Sequence, residues 1–326
     1  MKLGKANQTT KPVLFVFFSL SLCFVANAQF EAQISQYMFH LPVYNPAAIA
    51  EESMIDVSGQ YRMQWLGMPG APQTTYFTLN APLFSDKKVT QGIGIKFLND
   101  KIGAFSNQSA HLQYAYKRKL GKGTASLGMD IGFASIGFKY DSIKNSNINS
   151  EFYDFLGDTA IPTADVTGMS MDLSLGAFYS APQYYMGLSY VHLNNPLIKL
   201  NNDKTQFRVK GVMYLTGGYN KELTNPRFVF HSSALVKNDF TTWQAEISAY
   251  MELNKKYWGG LSYRYQDAVV IFGGLDIMNG LRVGYSYDLP TGRMLTVSSG
   301  SHEIYVSYRF MFDKGNKYGY KSIRIL

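Results

Sequence analysis

Met54–Trp65 reads MIDVSGQYRMQW, and its side chains separate into two sets at a period of two. Ile55, Val57, Tyr61, Met63 and Trp65 fall on one side, and Asp56, Ser58, Gln60, Arg62 and Gln64 on the other. Successive Cβ atoms of a strand point to opposite faces, so this is a strand with one apolar and one polar face. About ten such residues cross a bilayer when tilted. Gly280–Leu289, GLRVGYSYDL, repeats the pattern, with Leu281, Val283, Tyr285, Tyr287 and Leu289 against Arg282, Gly284, Ser286 and Asp288.

Working outward from these two, alternation recurs near 53–65, 73–81, 89–98, 106–119, 123–136, 167–180, 183–192, 207–220, 226–237, 241–253, 256–266, 268–277, 280–289 and 301–311. That is fourteen strands, and single-chain bacterial barrels have even counts with both ends in the periplasm. With the first strand running outward, the long connections 137–166, 193–206 and 290–300 all fall outside. The turns LGKG, Ala181-Pro182, Asn254-Lys255 and MNG fall inside, and the outer connections near Asn238 and Asp267 are short. Short periplasmic turns and longer outer loops are the asymmetry of an outer-membrane barrel. The expected fold is all-β: a transmembrane antiparallel β-barrel of about 14 strands with a short N-terminal segment.

Composition agrees. The chain has 24 Tyr, 22 Phe and 29 Gly, with aromatic residues at 15% and charged residues at 17%. A soluble β-sandwich also alternates. It would rarely place this many Tyr and Phe on the face that an open antiparallel sheet leaves in water.

The first 28 residues have the form of an exported leader. Lys2, Lys5 and Lys11 precede the apolar run VLFVFFSLSLCFVA, and Ala-Asn-Ala ends at Ala28. This is a peptidase-cleaved signal, too short to span a bilayer. The expected organisation is residues 1–28 signal peptide, 29–52 periplasmic or plug segment, 53–311 barrel and 312–326 tail. Cys23 follows Leu22 within the leader, which argues against a lipid anchor, and no cysteine follows it. Disulfides, thiol catalysis and cysteine metal sites are thereby excluded from the exported part. Without the three leader lysines the 31 basic residues become 28 against 23 acidic, a dispersed net charge of +5. Nucleic-acid binding needs a concentrated basic face, and none is present.

Candidate chemistry is sparse. His40, His111, His192, His231 and His302 have no ligand spacing, and HEIYV has Val306 where a zinc protease motif needs its second histidine. No metal, cofactor or catalytic site is expected, and the protein is not expected to be an enzyme. Ser301, His302 and Glu303 read as polar anchoring where an outer loop enters the last strand. In that strand Ile304, Val306, Tyr308 and Phe310 face lipid, and Ser307 and Arg309 face inward. Phe310 is the terminal aromatic of a barrel-closing strand. Arg62, Lys96, Asp130, Asp172, Arg208, Lys210, Glu246, Arg264, Arg282 and Arg309 are expected in the lumen, mostly solvated or paired. Asn45-Pro46 reads as a cap with proline in the first turn of a short helix over 46–52, either plugging the lumen or lying at its periplasmic mouth.

Three motifs carry a resemblance. QISQYMFHLPVYNPAAIA follows the leader, YRMQWLGMPGAPQTTYFTLNAP lies over the first hairpin, and GSHEIYVSYRF closes the barrel. Together they resemble the PorP/SprF family of type IX secretion system membrane proteins of Bacteroidetes, with Asn45, Pro46, Arg62, Trp65, Ser301, His302, Glu303 and Ile304 as the matching positions. His40 stands where the family commonly has Asn, AAIAEE replaces a more usual Ala-Tyr-Ala-Gly run, and a tail extends past Phe310. The resemblance implies an outer-membrane barrel serving protein secretion. It implies large secreted surface proteins with a C-terminal sorting domain as cargo and, in gliding members, adhesin export or attachment. Periplasmic secretion or peptidoglycan-binding proteins would be the inner partners.

A barrel of this size is too narrow for a folded adhesin once side chains fill it, which favours an adaptor or anchor over a conduit. Aromatic anchors dominate binding energy, so Tyr140, Phe152, Tyr153, Phe155 and Leu156 in one outer loop, and Leu197 and Ile198 in another, are the expected partner-binding residues. The alternative is a porter for small hydrophobic solutes, because such barrels also have fourteen strands and an Asn-Pro-Ala near the start.

Overall fold

The computed structural model describes residues 31–51, 54–85, 89–140, 162, 164–200, 205–278 and 280–311. The expected signal peptide and the expected tail at 312–326 lie outside the described residues. Among the described residues there are sixteen strands: β1 (Ile55–Met63), β2 (Gln73–Ser85), β3 (Val89–Ile102), β4 (Phe105–Leu120), β5 (Gly123–Phe138), β6 (Val166–Ser180), β7 (Tyr184–Val191), β8 (Leu197–Leu200), β9 (Thr205–Arg208), β10 (Val212–Glu222), β11 (Phe228–Asn238), β12 (Trp243–Leu253), β13 (Tyr257–Arg264), β14 (Ala268–Met278), β15 (Leu281–Pro290) and β16 (Ser301–Phe310).

All but β8 and β9 form a closed antiparallel barrel of fourteen strands, in which β7 pairs directly with β10 and β1 with β16. Closure follows from the alternation, because every strand carries one lipid-compatible face and no edge is left unpaired. On β4 and β5, Leu112, Tyr114, Leu127, Ile131 and Phe133 project outward, while His111, Gln113, Ser126 and Asp130 are buried inside. Both barrel ends and the short turns share one end, which is the periplasmic one.

The closing seam runs in register from Ile55 opposite Phe310 to Met63 opposite His302, with Arg62 facing Glu303 and Asp56 facing Arg309. Above it the first outer loop is tied to the last. Leu66 N–H donates to Gly300 O at 2.8 Å, Ser299 N–H donates to Leu66 O at 2.8 Å, and Trp65 N–H donates to Ser301 Oγ at 3.1 Å.

Two regions differ from the sequence reading. Within the connection 193–206 and the first residues of the window 207–220, β8 and β9 pair as a separate two-stranded sheet that packs against the inner wall near the outer end. Ile198 and Leu200 pack on the inward Ala134 and Ile136 of β5, joined by Val209, Val166 and Phe207. The Lys199 carbonyl lies against Gly168 of β6, where any Cβ would collide with it. Ile198 therefore does not offer an exposed anchor: it is 0% exposed beneath this small sheet, and Leu197 is half-buried. Arg208 and Lys210 sit on and beside the small sheet, exposed, and not in the lumen.

The second difference is the helix expected over 46–52. Only a 3-10 turn, Pro46–Ala48, forms, after another at Tyr37–Phe39 and one α-helical turn at Leu41–Tyr44. The cap itself is as expected, since Asn45 accepts a hydrogen bond from Ala47 N–H at 2.9 Å. The turn ends because Ile49 returns to extended geometry, and with Ala50 it packs against Gly92 of β3 on the way to β1.

Ile198→Ala removes a fully buried side chain from the small sheet. Such a change costs about 2–5 kcal/mol when the site cannot collapse. Hydrogen exchange across β8–β9 is expected to accelerate while the heat-modifiable mobility of the folded barrel on gels stays unchanged.

Candidate functional site

Residues 31–51 run through the lumen, so the N-terminal segment is a plug. Irregular backbone at membrane depth is tolerated only where other groups satisfy its polar atoms, and here the inward face of the wall does so. Tyr305 Oη donates to Phe39 O at 3.0 Å, Gln113 Nε2 to Pro42 O at 2.9 Å, and Ser189 Oγ to Tyr44 O at 2.7 Å. Asn80 Oδ1 accepts from Ala50 N–H at 2.9 Å. His40 bridges Gln60 Oε1 at 2.9 Å and Thr78 Oγ1 at 3.1 Å, both on the wall. Asn45 donates from Nδ2 to Ala177 O at 3.0 Å. Beneath Asn45-Pro46-Ala47 the wall carries Gly128 and Gly176, where an added Cβ would overlap the plug.

Near the outer end the plug is held by a buried ionic cluster. Glu303 Oε2 accepts Ser35 N–H at 2.8 Å, and Glu303 Oε1 accepts Gln36 N–H at 2.9 Å. Ser35 Oγ donates to Asp288 Oδ1 at 2.7 Å and accepts from Arg62 at 2.7 Å and Arg264 at 3.0 Å. Arg62 pairs with Asp288 at 2.8 Å and Glu303 at 3.3 Å, and Arg264 with Glu246 at 2.7 Å and Asp288 at 3.0 Å. Every one of these charges has an opposite partner, which is the condition for burying ions without a large penalty.

A second latch holds Glu31. His192, just past β7, contacts Glu31 at 2.6 Å and Asp172 at 2.7 Å, and Tyr214 Oη donates to Glu31 at 3.3 Å. Burial would raise the Glu31 carboxyl, but the His192 imidazolium dominates and holds it near about 2. Burial would likewise lower His192, but Glu31 and Asp172 raise it to about 10. Behind this latch Asp130 pairs with Lys96 at 3.0 Å and His111 approaches both Asp130 and Asp172.

The structure brings together part of the motif set read from the sequence. Asn45, Pro46, Arg62 and Glu303 meet the plug or belong to it, and Ser301 holds the Trp65 backbone. His302 accepts no inner role: its Nδ1 lies 2.6 Å from Tyr285 Oη on the outer surface beside Tyr287. Ile304, Tyr308 and Phe310 are on the outer wall, the last two stacked at 5.4 Å. Tyr140 donates its N–H to Asp165 at the outer rim, and Phe152, Tyr153, Phe155 and Leu156 lie outside the described residues. Among the described residues no cluster of metal ligands occurs. The sequence reading missed Ser35, Glu31 and the role of Asp288. Asp288 had a signal, as an inward position of Gly280–Leu289, whereas Ser35 had none.

Comparison with known proteins bears on this arrangement. The profile of the family described as type IX secretion system membrane protein PorP/SprF matches residues 26–308. This chain belongs to the PorP/SprF family. Together with the closed barrel this makes it an outer-membrane component of type IX secretion. No curated protein matches the sequence. Among solved structures, the chain is similar to a deletion mutant of the monoaromatic hydrocarbon channel TodX, with 10% identity, 83% of this chain and 94% of that one covered, and a TM-score of 0.49. The Pseudomonas putida toluene transporter TodX gives 10%, 86% and 95% with 0.47. The translocator domain of the Neisseria meningitidis autotransporter NalP gives 13%, 79% and 88% with 0.41.

Arg62→Met is expected to destabilise this PorP/SprF barrel by about 3–5 kcal/mol, because it leaves Glu303 buried without its cation and Asp288 with Arg264 alone. Urea unfolding followed by gel mobility measures it. The Glu31–His192 latch sets a pH window. The raised His192 contributes fully below about 6.5 and is lost as pH rises through about 10. The lowered Glu31 contributes fully above about 4.5 and is lost as pH falls through about 2. Protection of the plug's first residues against hydrogen exchange should therefore peak between about pH 4.5 and 6.5. Above that, after correction for intrinsic exchange, it should fall by up to about tenfold per pH unit, one proton being linked. His192→Gln should remove the fall.

Proposed function

We propose that this barrel acts as a plugged partner of type IX secretion, presenting its outer rim to a secreted surface protein with a C-terminal sorting domain and anchoring or adapting that cargo at the membrane. The observation that carries this reading is the filled lumen. Residues 31–51 occupy it, with Ser35 and Gln36 N–H and the Phe39 and Pro42 carbonyls bonded to the wall, and β8–β9 packs against the inward face of β5 near the outer end. A barrel so filled favours offering surfaces to partners over passing a chain through its lumen. In a gliding host the cargo would be an adhesin. In the alternative, a solute porter, the N-terminal segment would act as a hatch that must move to open a path. The protein works by binding and carries out no chemistry.

The test is affinity isolation of the tagged full-length protein from gently solubilised outer membranes, with mass spectrometry of what accompanies it. Recovery of a large surface protein bearing a sorting domain, reduced when residues 152–156 are deleted, is the expected result. Recovery of general outer-membrane proteins alone, together with steady ion conductance of the purified barrel in planar bilayers, would overturn the reading in favour of transport.

A further inference from the structure

Below the plug the lumen opens into a cavity of about 330 Å³. Its lining includes Asp56 at the start of β1, Arg309 at the end of β16 and Glu252 at the end of β12, so it faces the periplasm. Its ceiling is the plug itself: Met38, Phe39, Leu41 and Pro42. The cavity is therefore blind, and an occupant can bind but cannot pass while the plug is in place.

The lining specifies the occupant. The charges of the lining have partners, Asp56 with Arg309 at 2.9 Å, Arg282 with Asp276 at 2.7 Å and Glu252 at 3.6 Å, and Glu51 with Lys117 at 3.9 Å, so an incoming group need not carry charge. The Arg282 guanidinium also lies 5.0 Å from the Phe39 ring centroid, fixing the ceiling to the wall. Asn80 and Asn220 spend their side-chain oxygens on Ala50 N–H and His231 Nδ1, and their amide N–H groups have no hydrogen-bond partner among the described residues. Two carboxamide donors beneath an apolar ceiling match an extended peptide, whose carbonyls accept from the asparagines while one apolar side chain seats against Met38 and Leu41. The volume corresponds to about two side chains, which is small for a domain and sufficient for a hook.

We propose that this cavity binds a short, uncharged segment of a periplasmic protein chain through one apolar side chain and its flanking peptide carbonyls. The inference does not depend on the cargo reading, since it concerns the opposite end of the barrel.

The test uses the full-length protein in detergent micelles and acetyl-Ser-Leu-Ser-amide as probe, followed by saturation-transfer NMR. Saturable binding is expected, weaker by about tenfold or more for acetyl-Ser-Gly-Ser-amide, which lacks the buried side chain. Asn220→Trp, which fills the opening, should abolish it while the folded gel mobility persists. If that variant does not fold, Met54→Trp at the same opening replaces it. Three results would overturn the proposal: no saturable binding, unchanged binding in the filled variants, or displacement of the peptide by toluene at lower concentration, which would make the cavity a solute site. A fourth is binding seen only after residues 312–326 are removed, which would make the chain's own tail the occupant.

Discussion

Arg62 opposite Glu303 is the contact on which the other features depend. The two face each other across the seam where the first and last strands meet, so the pair is at once a barrel-closing contact and the anchor of the plug. At the inner end of the same seam the signs are exchanged, with Asp56 on β1 facing Arg309 on β16. A slip of two residues would keep every side chain on its own face, yet it would set Arg62 against Tyr305 or Ser301 and break both pairs. Alternation alone fixes the register only to an even number of residues. The two pairs of opposite polarity remove that ambiguity.

Glu303 also shows why the plug and the wall must be considered together. The Glu303 carboxylate accepts the Ser35 and Gln36 amides and the Arg62 guanidinium together, so plug and seam share one acceptor. Without the plug, Arg62 and Arg264 lose the Ser35 hydroxyl that both donate to, and Asp288 loses the donor that satisfies its second oxygen. The ionic cluster and the plug thus stabilise each other, in the way expected of a buried network whose members are each needed to satisfy the rest. The wall glycines complete the fit, because Gly128 and Gly176 let Asn45-Pro46-Ala47 approach the strand backbone where any side chain would exclude it.

How much of this was legible in the sequence depends on the kind of signal each residue carries. A strand of a membrane barrel must alternate, so Ile55 to Trp65 and Leu281 to Leu289 declared their faces, and the count of fourteen followed. Arg62, Glu246 and Arg264 were identifiable as lumen residues from phase alone. Which acid meets which arginine was not, because Glu303 meets Arg62 only through the closing register of β1 with β16, and Asp288 reaches it from β15, with a shared contact at Ser35 more than 250 residues away from both acids in the chain. The small sheet failed for another reason: β8 and β9 are four residues each, and their apolar positions face barrel wall instead of partner, a distinction no local pattern makes. The helix over 46–52 failed because the cap signal was genuine but the strand entry left it only one turn.

The plug joins the two ends of the molecule. Ser35 and Gln36 sit in the outer ionic cluster, and Met38 and Phe39, two and three residues beyond Gln36, form the ceiling of the periplasmic cavity. Phe39 is clasped by Trp258 at 4.6 Å, Tyr250 at 5.4 Å and Tyr305 at 5.9 Å, while Tyr305 also takes its carbonyl. So short a connection, ending in two rigid sets of contacts, leaves little slack. Motion of the ceiling large enough to matter must pull on the Ser35 and Gln36 amides, and release of those amides must free the ceiling. The outer ionic cluster and the ceiling of the periplasmic cavity are therefore tied through the same few residues, Ser35 to Phe39, which gives the two ends of the barrel a physical route of coupling.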